Sequence, residues 1–247
     1  ARAAVDCALT GADLLRNGEH LAYAICRPPG HHAERSVYGG FCYFNNAAIA
    51  AQALCNEGRV AILDIDFHHG NGTQDIFIER PDILTLSIHG DPSYAYPYFA
   101  GFADETGEGA GEGFNYNYPL DEGIGDDEYL RALDVALKRI IEFDPKYFVL
   151  SMGLDIAKGD PTGAWVISPD GLERIGGAIA GLGIPTLAVQ EGGYDIRVLG
   201  RNARRFLQGL QRGVYERRLA TRVGESGPAS QDESGVASGT RDGAATG

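Results

Sequence analysis

Five short apolar runs recur along the chain with helical patterns between them, and this alternation constrains the fold more than any other feature. The runs are 21–26 (LAYAIC), 60–66 (VAILDID), 83–89 (ILTLSIH), 147–152 (YFVLSM) and 186–190 (TLAVQ). Most lack the apolar-polar alternation of a one-sided strand, so they read as strands buried on both faces of a parallel sheet. Helical spacing of apolar residues marks 1–18, 44–58, 126–143, 170–183 and about 196–210. Together they predict an α/β fold, a mostly parallel sheet flanked by helices.

A chain of 247 residues can bury a core, and one domain over 1–212 is expected. From Thr221 onward there is no aromatic residue, leucine or isoleucine. Such a segment cannot offset the entropy of ordering, so 213–247 is expected to be a disordered tail. The chain opens on Ala1, already inside a helical pattern, and its single methionine is Met152. That reads as a fold lacking its N-terminal part, with an exposed sheet edge as the consequence. Four cysteines without a Cys-x-x-Cys pair read as reduced thiols of a cytoplasmic protein. No apolar run approaches the ~18 residues that span a bilayer. A formal charge of −13 disfavours direct contact with nucleic acid or an anionic membrane and suits a cationic ligand.

Each strand run is followed at once by polar or glycine-rich chemistry: RPPGHH, DFHHGNG, GDP, GLDIAKGDP and EGGYD. Ligands of open parallel sheets bind beyond the carboxyl ends of the strands, so these five segments are expected to converge. The Gly, Pro and Tyr-rich stretch 91–115 reads as a long loop, a length uncommon unless functional.

Asp66 and His68, two apart at a strand end, can supply an oxygen and a nitrogen to a metal, and Asp155 after a later strand can complete the set. Two carboxylates and one imidazole with an open position is the donor pattern of a catalytic zinc ion. His31 and His32 follow Pro-Pro-Gly on a loop able to aim both rings, with Asp64, Asp66 and Asn71 as polar partners. A ring paired with a carboxylate is biased toward imidazolium and one paired with an amide stays nearer neutral, which separates an electrostatic role from a general base. Gly192 and Gly193 allow a tight turn that brings the Tyr194 phenol into the crevice as an oxyanion donor. The bland reading of each feature alone is a solvated loop histidine, a satisfied carboxylate or a half-buried turn tyrosine.

Taken in order, RPPGHHA, GGFCYFNNAA, ILDIDFHHGNGTQDIF, SIHGD, SMGLD…DP and EGGYD resemble the zinc-dependent histone deacetylase superfamily, from about Ala1 to Leu210. The nearest likeness is to its bacterial amidohydrolase branch, which includes acetylpolyamine amidohydrolases. The resemblance implies the arginase-deacetylase fold and hydrolysis of an N-acyl amide, with acetylpolyamines or similar small acetylated amines as the preferred substrates and acetyl-lysine on proteins as the alternative. It implies one Zn²⁺ per chain on Asp66, His68 and Asp155. His31 and His32 become the catalytic pair, with Asp64 behind the first and Asn71 behind the second, and Tyr194 polarises the carbonyl. Gly40, Phe41, Tyr96, Gly192 and Gly193 are implied in the substrate tunnel. Structural K⁺ would draw on Asp64, Asp66, His68 and Ser87, and a second ion on backbone near Phe77. His69 is left a structural role. A homo-oligomer is compatible with the resemblance.

Met152 and Leu154 depart from the family's usual residues around the third metal ligand, and Thr162 stands where a larger rim residue is common. Two rivals remain. An arginase-type hydrolase on the same fold needs additional aspartates where this chain has Gly70 and Gly153. A non-catalytic binder of acylated amines would keep the metal and lack turnover.

Overall fold

The computed structural model describes residues 1–225. Six strands, β1 (Leu21–Ala24), β2 (Val60–Asp64), β3 (Ile83–Gly90), β4 (Asn115–Leu120), β5 (Tyr147–Met152) and β6 (Thr186–Gln190), form one sheet in the order β1-β6-β5-β2-β3-β4. Every pairing is parallel. The six helices are α1 (Arg2–Arg16), α2 (Asn46–Cys55), α3 (Asn71–Phe77), α4 (Asp126–Phe143), α5 (Pro169–Ala180) and α6 (Leu199–Glu225).

Strand residues alternate between two apolar layers, which is why most of these runs carry no polar face; β3, with Thr85, Ser87 and His89 on one side, is the exception. Ala61 and Leu63 of β2 and Phe148, Leu150 and Met152 of β5 pack with Leu133 and Ile140 of α4, Leu172 and Ile175 of α5 and Phe206 of α6. On the other face, Val60, Ile62 and Val149 meet Ala8 and Ala12 of α1 and Ala51 and Leu54 of α2. Each fully buried Leu, Ile or Phe stabilises the fold by roughly 1.5–3 kcal/mol. The second layer is thin because α1 lies close on the sheet: a Cβ at Gly11 would fall 2.4 Å from Leu187 Cδ1.

Local signals set the helix ends. Asn45 caps α2 by accepting from the Ala48 N–H at 2.9 Å, and Ser168 caps α5 through Gly171 at 3.0 Å, with Pro169 in the first turn. Asp144, at φ 50°, stops α4 ahead of Pro145.

The sequence reading needs four corrections. β1 ends at Ala24 and β2 at Asp64, each two residues early, so Asp66 stands in the turn beyond its strand. β4 was not expected: its buried positions are Asn115 and Asn117, while Tyr116 and Tyr118 are only half-buried, the inverse of the pattern that marks a strand. α3 was not expected either, being seven residues entered from Gly70. Finally, α6 runs on to Glu225, past residue 212 where the tail was placed; the rest of that tail lies outside the described residues. Among the described residues no helix is long and apolar enough to cross a membrane.

Candidate active site

Strand order reverses direction between β2 and β5, and the functional residues gather beyond the carboxyl ends of the strands around that point, as the rule for open parallel sheets requires. Asp64 closes β2, Asp66 and His68 follow in the next turn, Asp155 follows β5, and Glu191 to Tyr194 follow β6. His31 and His32 arrive on the loop after β1.

The two histidines are buried with ring centroids 4.0 Å apart, and their partners differ as expected. His31 Nδ1 donates to Asp64 Oδ2 at 2.8 Å, and His32 Nδ1 donates to Asn71 Oδ1 at 2.7 Å. Burial works against a charge on His31, but the Asp64 and Asp66 carboxylates outweigh it and hold the ring well above the usual histidine range. Burial pushes His32 well below that range, and the charge on His31 adds to the push. The Asn71 amide is itself oriented, because its Nδ2 donates to Glu34 Oε1 at 2.7 Å. That bond turns Oδ1 toward His32, places the proton of the neutral ring on Nδ1, and leaves Nε2 with a free lone pair.

Asp66, His68 and Asp155 present ligand atoms within 4.8 Å of one another. His68 Nδ1 lies 3.2 Å from Asp66 Oδ1 and 3.0 Å from Asp155 Oδ2. The outward oxygens are already used: Gly192 N–H donates to Asp66 Oδ2 at 2.8 Å and Phe67 N–H to Asp155 Oδ1 at 2.9 Å. Electrostatics fit a cation as well. Burial raises the Asp155 carboxyl to about 7, with the Asp66 charge adding to it. Against the cost of burial, hydrogen bonds to Asp155 and Asp66 hold His68 up at about 10, so a proton bridges the two carboxylates where a divalent ion would replace it. A dianionic pair with one imidazole fits a catalytic zinc site.

Gly192 makes room for this cluster. A Cβ there would fall 2.6 Å from Asp66 Oδ2 and 2.9 Å from Asp155 Oδ2. Gly192→Ala is therefore expected to weaken divalent-metal affinity by about 10–100-fold, the range seen when groups supporting metal ligands are disturbed; competition against a chromogenic chelator measures it, and unchanged affinity would contradict the packing. Gly70 and Gly153 are equally confined, with Cβ positions 2.3 Å from Asp64 Oδ2 and 2.3 Å from Asp66 Cα. The aspartates an arginase-type second metal needs have no space here.

Gly193, at φ 130°, turns the chain after β6 so that the Tyr194 ring faces Phe41 at 5.8 Å. Burial, then the Asp66 and Asp155 charges, raise the phenol's pKa, so it remains a donor. Gly40, at φ 55°, lies so close to His32 that a Cβ would come within 2.3 Å of Cδ2. Phe41 beside it is 69% exposed. The Tyr96 ring stands edge-on to His32 at 4.9 Å and to His68 at 6.3 Å, which places the loop after β3 at the site.

Ser87 is paired with Asp64 across β2 and β3, and its hydroxyl meets His89 Nδ1 at 2.8 Å. Phe77 ends α3 with its ring in the second apolar layer, and its carbonyl accepts from the Arg80 N–H. His69 is buried, with Nε2 3.1 Å from Asn117 Oδ1.

Three contributors escaped the sequence reading. Glu34 orients Asn71. Asp160 Oδ2 accepts from the Tyr194 and Asp195 N–H groups at 2.6 and 3.1 Å and ties the two loops together. Glu191 is fully enclosed: Oε2 accepts from the N–H of Gly30 at 2.7 Å and of His31 at 3.2 Å, and burial raises its carboxyl to about 8. Its Oε1 has no partner among the described residues, an arrangement that costs about 1–3 kcal/mol. The Glu of EGGYD, directly after a buried strand, was the available signal.

The chain is similar to known proteins over most of its length. The histone deacetylase domain matches residues 1–210. Acetylpolyamine amidohydrolase 1 of Pseudomonas aeruginosa is 55% identical over 207 residues, covering 83% of this chain and 60% of that protein. A probable deacetylase of Methanothermobacter thermautotrophicus is 43% identical over 222 residues, covering 88% of this chain and 66% of that protein. The crystal structure of an acetylpolyamine aminohydrolase from Burkholderia pseudomallei superposes with a TM-score of 0.82 at 48% identity, over 84% of this chain and 61% of that one. The chain thus spans about 60% of the length of the curated amidohydrolases it matches.

Proposed function

The chain belongs to the histone deacetylase domain family, and on that footing we propose that it carries the catalytic centre of a zinc amidohydrolase that removes acetyl groups from small acetylated amines. The observation that carries the reading is the pair of buried histidines with unlike partners, Asp64 and Asn71, beside a three-donor cluster.

Zinc held by Asp66, His68 and Asp155 would supply Lewis acidity, polarising the amide carbonyl and lowering the pKa of water to about 7. His32 Nε2, neutral and unprotonated, takes the proton from the water that attacks the carbonyl carbon. His31, charged against Asp64, stabilises the negative charge that builds up. Tyr194 donates its phenolic proton in a hydrogen bond to the carbonyl oxygen as it becomes an oxyanion. The proton held by His32 passes to the amine nitrogen as the C–N bond breaks, leaving acetate and a free amine. Phe41 and Tyr96 flank the acyl arm of the substrate. A structural K⁺ would draw on Asp64 and Ser87, which stand side by side in register.

Substrate choice rests on two supports: relatives named for acetylpolyamines at 55%, 51% and 50% identity, and a charge of −13 that favours a cationic amine. A kcat/KM panel on the full-length protein with acetylputrescine, acetylspermidine and acetyl-lysine peptides is expected to favour the small amines; a strong peptide preference overturns the substrate assignment. Tyr194→Phe is expected to keep its metal and lose about 10²–10³ in kcat. Full turnover in that variant would remove Tyr194 from the mechanism, and bound metal with no turnover of any acetylated amine by the parent protein would favour a binding role instead.

A further inference from the structure

A second set of metal-ligating side chains lies next to the first. His31, Cys42 and Glu191 are all buried and bring one ligand atom each within 4.8 Å of one another. They come from three places in the chain: the loop after β1, the segment before α2, and the end of β6. On each, one ligand atom is not committed to the fold, and an incoming ion would displace the proton it carries, that on Nε2 of the charged His31 included. His31 Nδ1 is committed to Asp64, which leaves Nε2. Glu191 Oε2 is committed to two backbone N–H groups, while Oε1 is buried with no partner among the described residues. Cys42 Sγ has only a 3.4 Å contact with the Gly40 carbonyl.

This donor set is chemically unlike the catalytic one. Asp66, His68 and Asp155 offer two oxygens and a nitrogen; here a sulfur, a nitrogen and an oxygen converge, a softer combination that selects thiophilic divalent ions. Of the three, Glu191 lines a cavity of about 680 Å³ that also reaches Arg27, Pro28, Phe41 and Tyr194. The unpartnered carboxyl oxygen is the feature that structural packing alone leaves unexplained.

We propose that His31, Cys42 and Glu191 form a regulatory site for a thiophilic divalent cation, cadmium or excess zinc, whose occupation takes His31 out of the histidine pair. The binding claim stands on these three residues; the inhibitory consequence rests on the catalytic role proposed for His31.

The two parts are separable by experiment. Cadmium titrated into the full-length protein is expected to produce an ultraviolet thiolate-to-metal charge-transfer band, which the sulfur-free catalytic set cannot give. Cys42→Ser is expected to abolish that band while still binding one equivalent of metal at the Asp66, His68 and Asp155 cluster. Glu191→Gln, which keeps an oxygen acceptor for Gly30 and His31, is expected to form the band with affinity lowered by about tenfold or more. In turnover assays, excess zinc should inhibit the parent protein, and the half-inhibiting concentration should rise at least tenfold in Cys42→Ser. A band that never forms, or that persists undiminished in Cys42→Ser, overturns the site. A band that behaves as expected without any inhibition overturns only the regulatory role, and absence of turnover in every form points instead to the catalytic reading.

Discussion

His32→Ala is expected to keep one equivalent of metal and to lose about 10²–10⁴-fold in kcat, with KM within a few-fold of the parent value. Of the two histidines, His32 is the one whose Nε2 is free to take a proton: burial and the charge on His31 lower its pKa, and the Glu34–Asn71 relay fixes its proton on Nδ1. His31 is held charged by Asp64 and Asp66 and cannot accept the same proton. Asn71→Asp provides the contrast. A carboxylate at that position would favour the imidazolium form of His32 and shift the acidic limb of the kcat/KM profile to higher pH. Turnover within threefold of the parent in His32→Ala, measured with metal content verified, would remove His32 as the base.

How far these roles were legible depended on where each residue's partners sit. Strands β2, β5 and β6 announced themselves because both sheet faces are covered, so apolar residues run almost unbroken to the strand ends, and β3 did so despite Thr85 and Ser87 within it. The polar segments after those ends therefore pointed to one crevice before any contact was known. β4 failed the same reading for a specific reason. Its buried Asn115 and Asn117 exist to bond Gln74, Glu105 and His69, while Tyr116 and Tyr118 lie toward Arg139 of α4. A polar network buried under a loop inverts the hydrophobic pattern, and pattern is all that a single sequence offers.

Residues acting on the substrate sit in short, chemically dense motifs, whereas residues acting through others do not. Glu34 lies 37 positions from Asn71, and Asp160 lies 34 from Tyr194, and neither spacing marks a partnership. Glycines tell the same story. Gly192, Gly153 and Gly70 each face a carboxylate or its backbone at under 2.7 Å, a requirement that shows only once β2, β5 and β6 are side by side. The sequence could label Gly192 and Gly193 as turn residues; that Gly192 also packs against the Asp66 and Asp155 carboxylates is a property of the fold.

Asp155→Ala is expected to abolish both metal binding and turnover, and its stability is the more telling measurement. In the metal-free protein, Asp66 and Asp155 are two enclosed carboxylates bridged by the proton on His68, and burial with the Asp66 charge raises the Asp155 carboxyl to about 7. Removing Asp155 deletes one buried acid along with its bond to the Phe67 N–H, so the loss for the metal-free fold is partly offset by relief of repulsion. If the parent protein holds the ion as proposed, free metal at 1,000 times Kd adds about 4 kcal/mol to unfolding. A chelator should accordingly lower the Tm of the parent protein and leave that of Asp155→Ala unchanged, with the two Tm values drawing together when both are metal-free. If the parent Tm ignored chelation, or if Asp155→Ala still held one equivalent of metal, the three side chains would be an ion-paired cluster of the core and the hydrolytic mechanism would lose its Lewis acid.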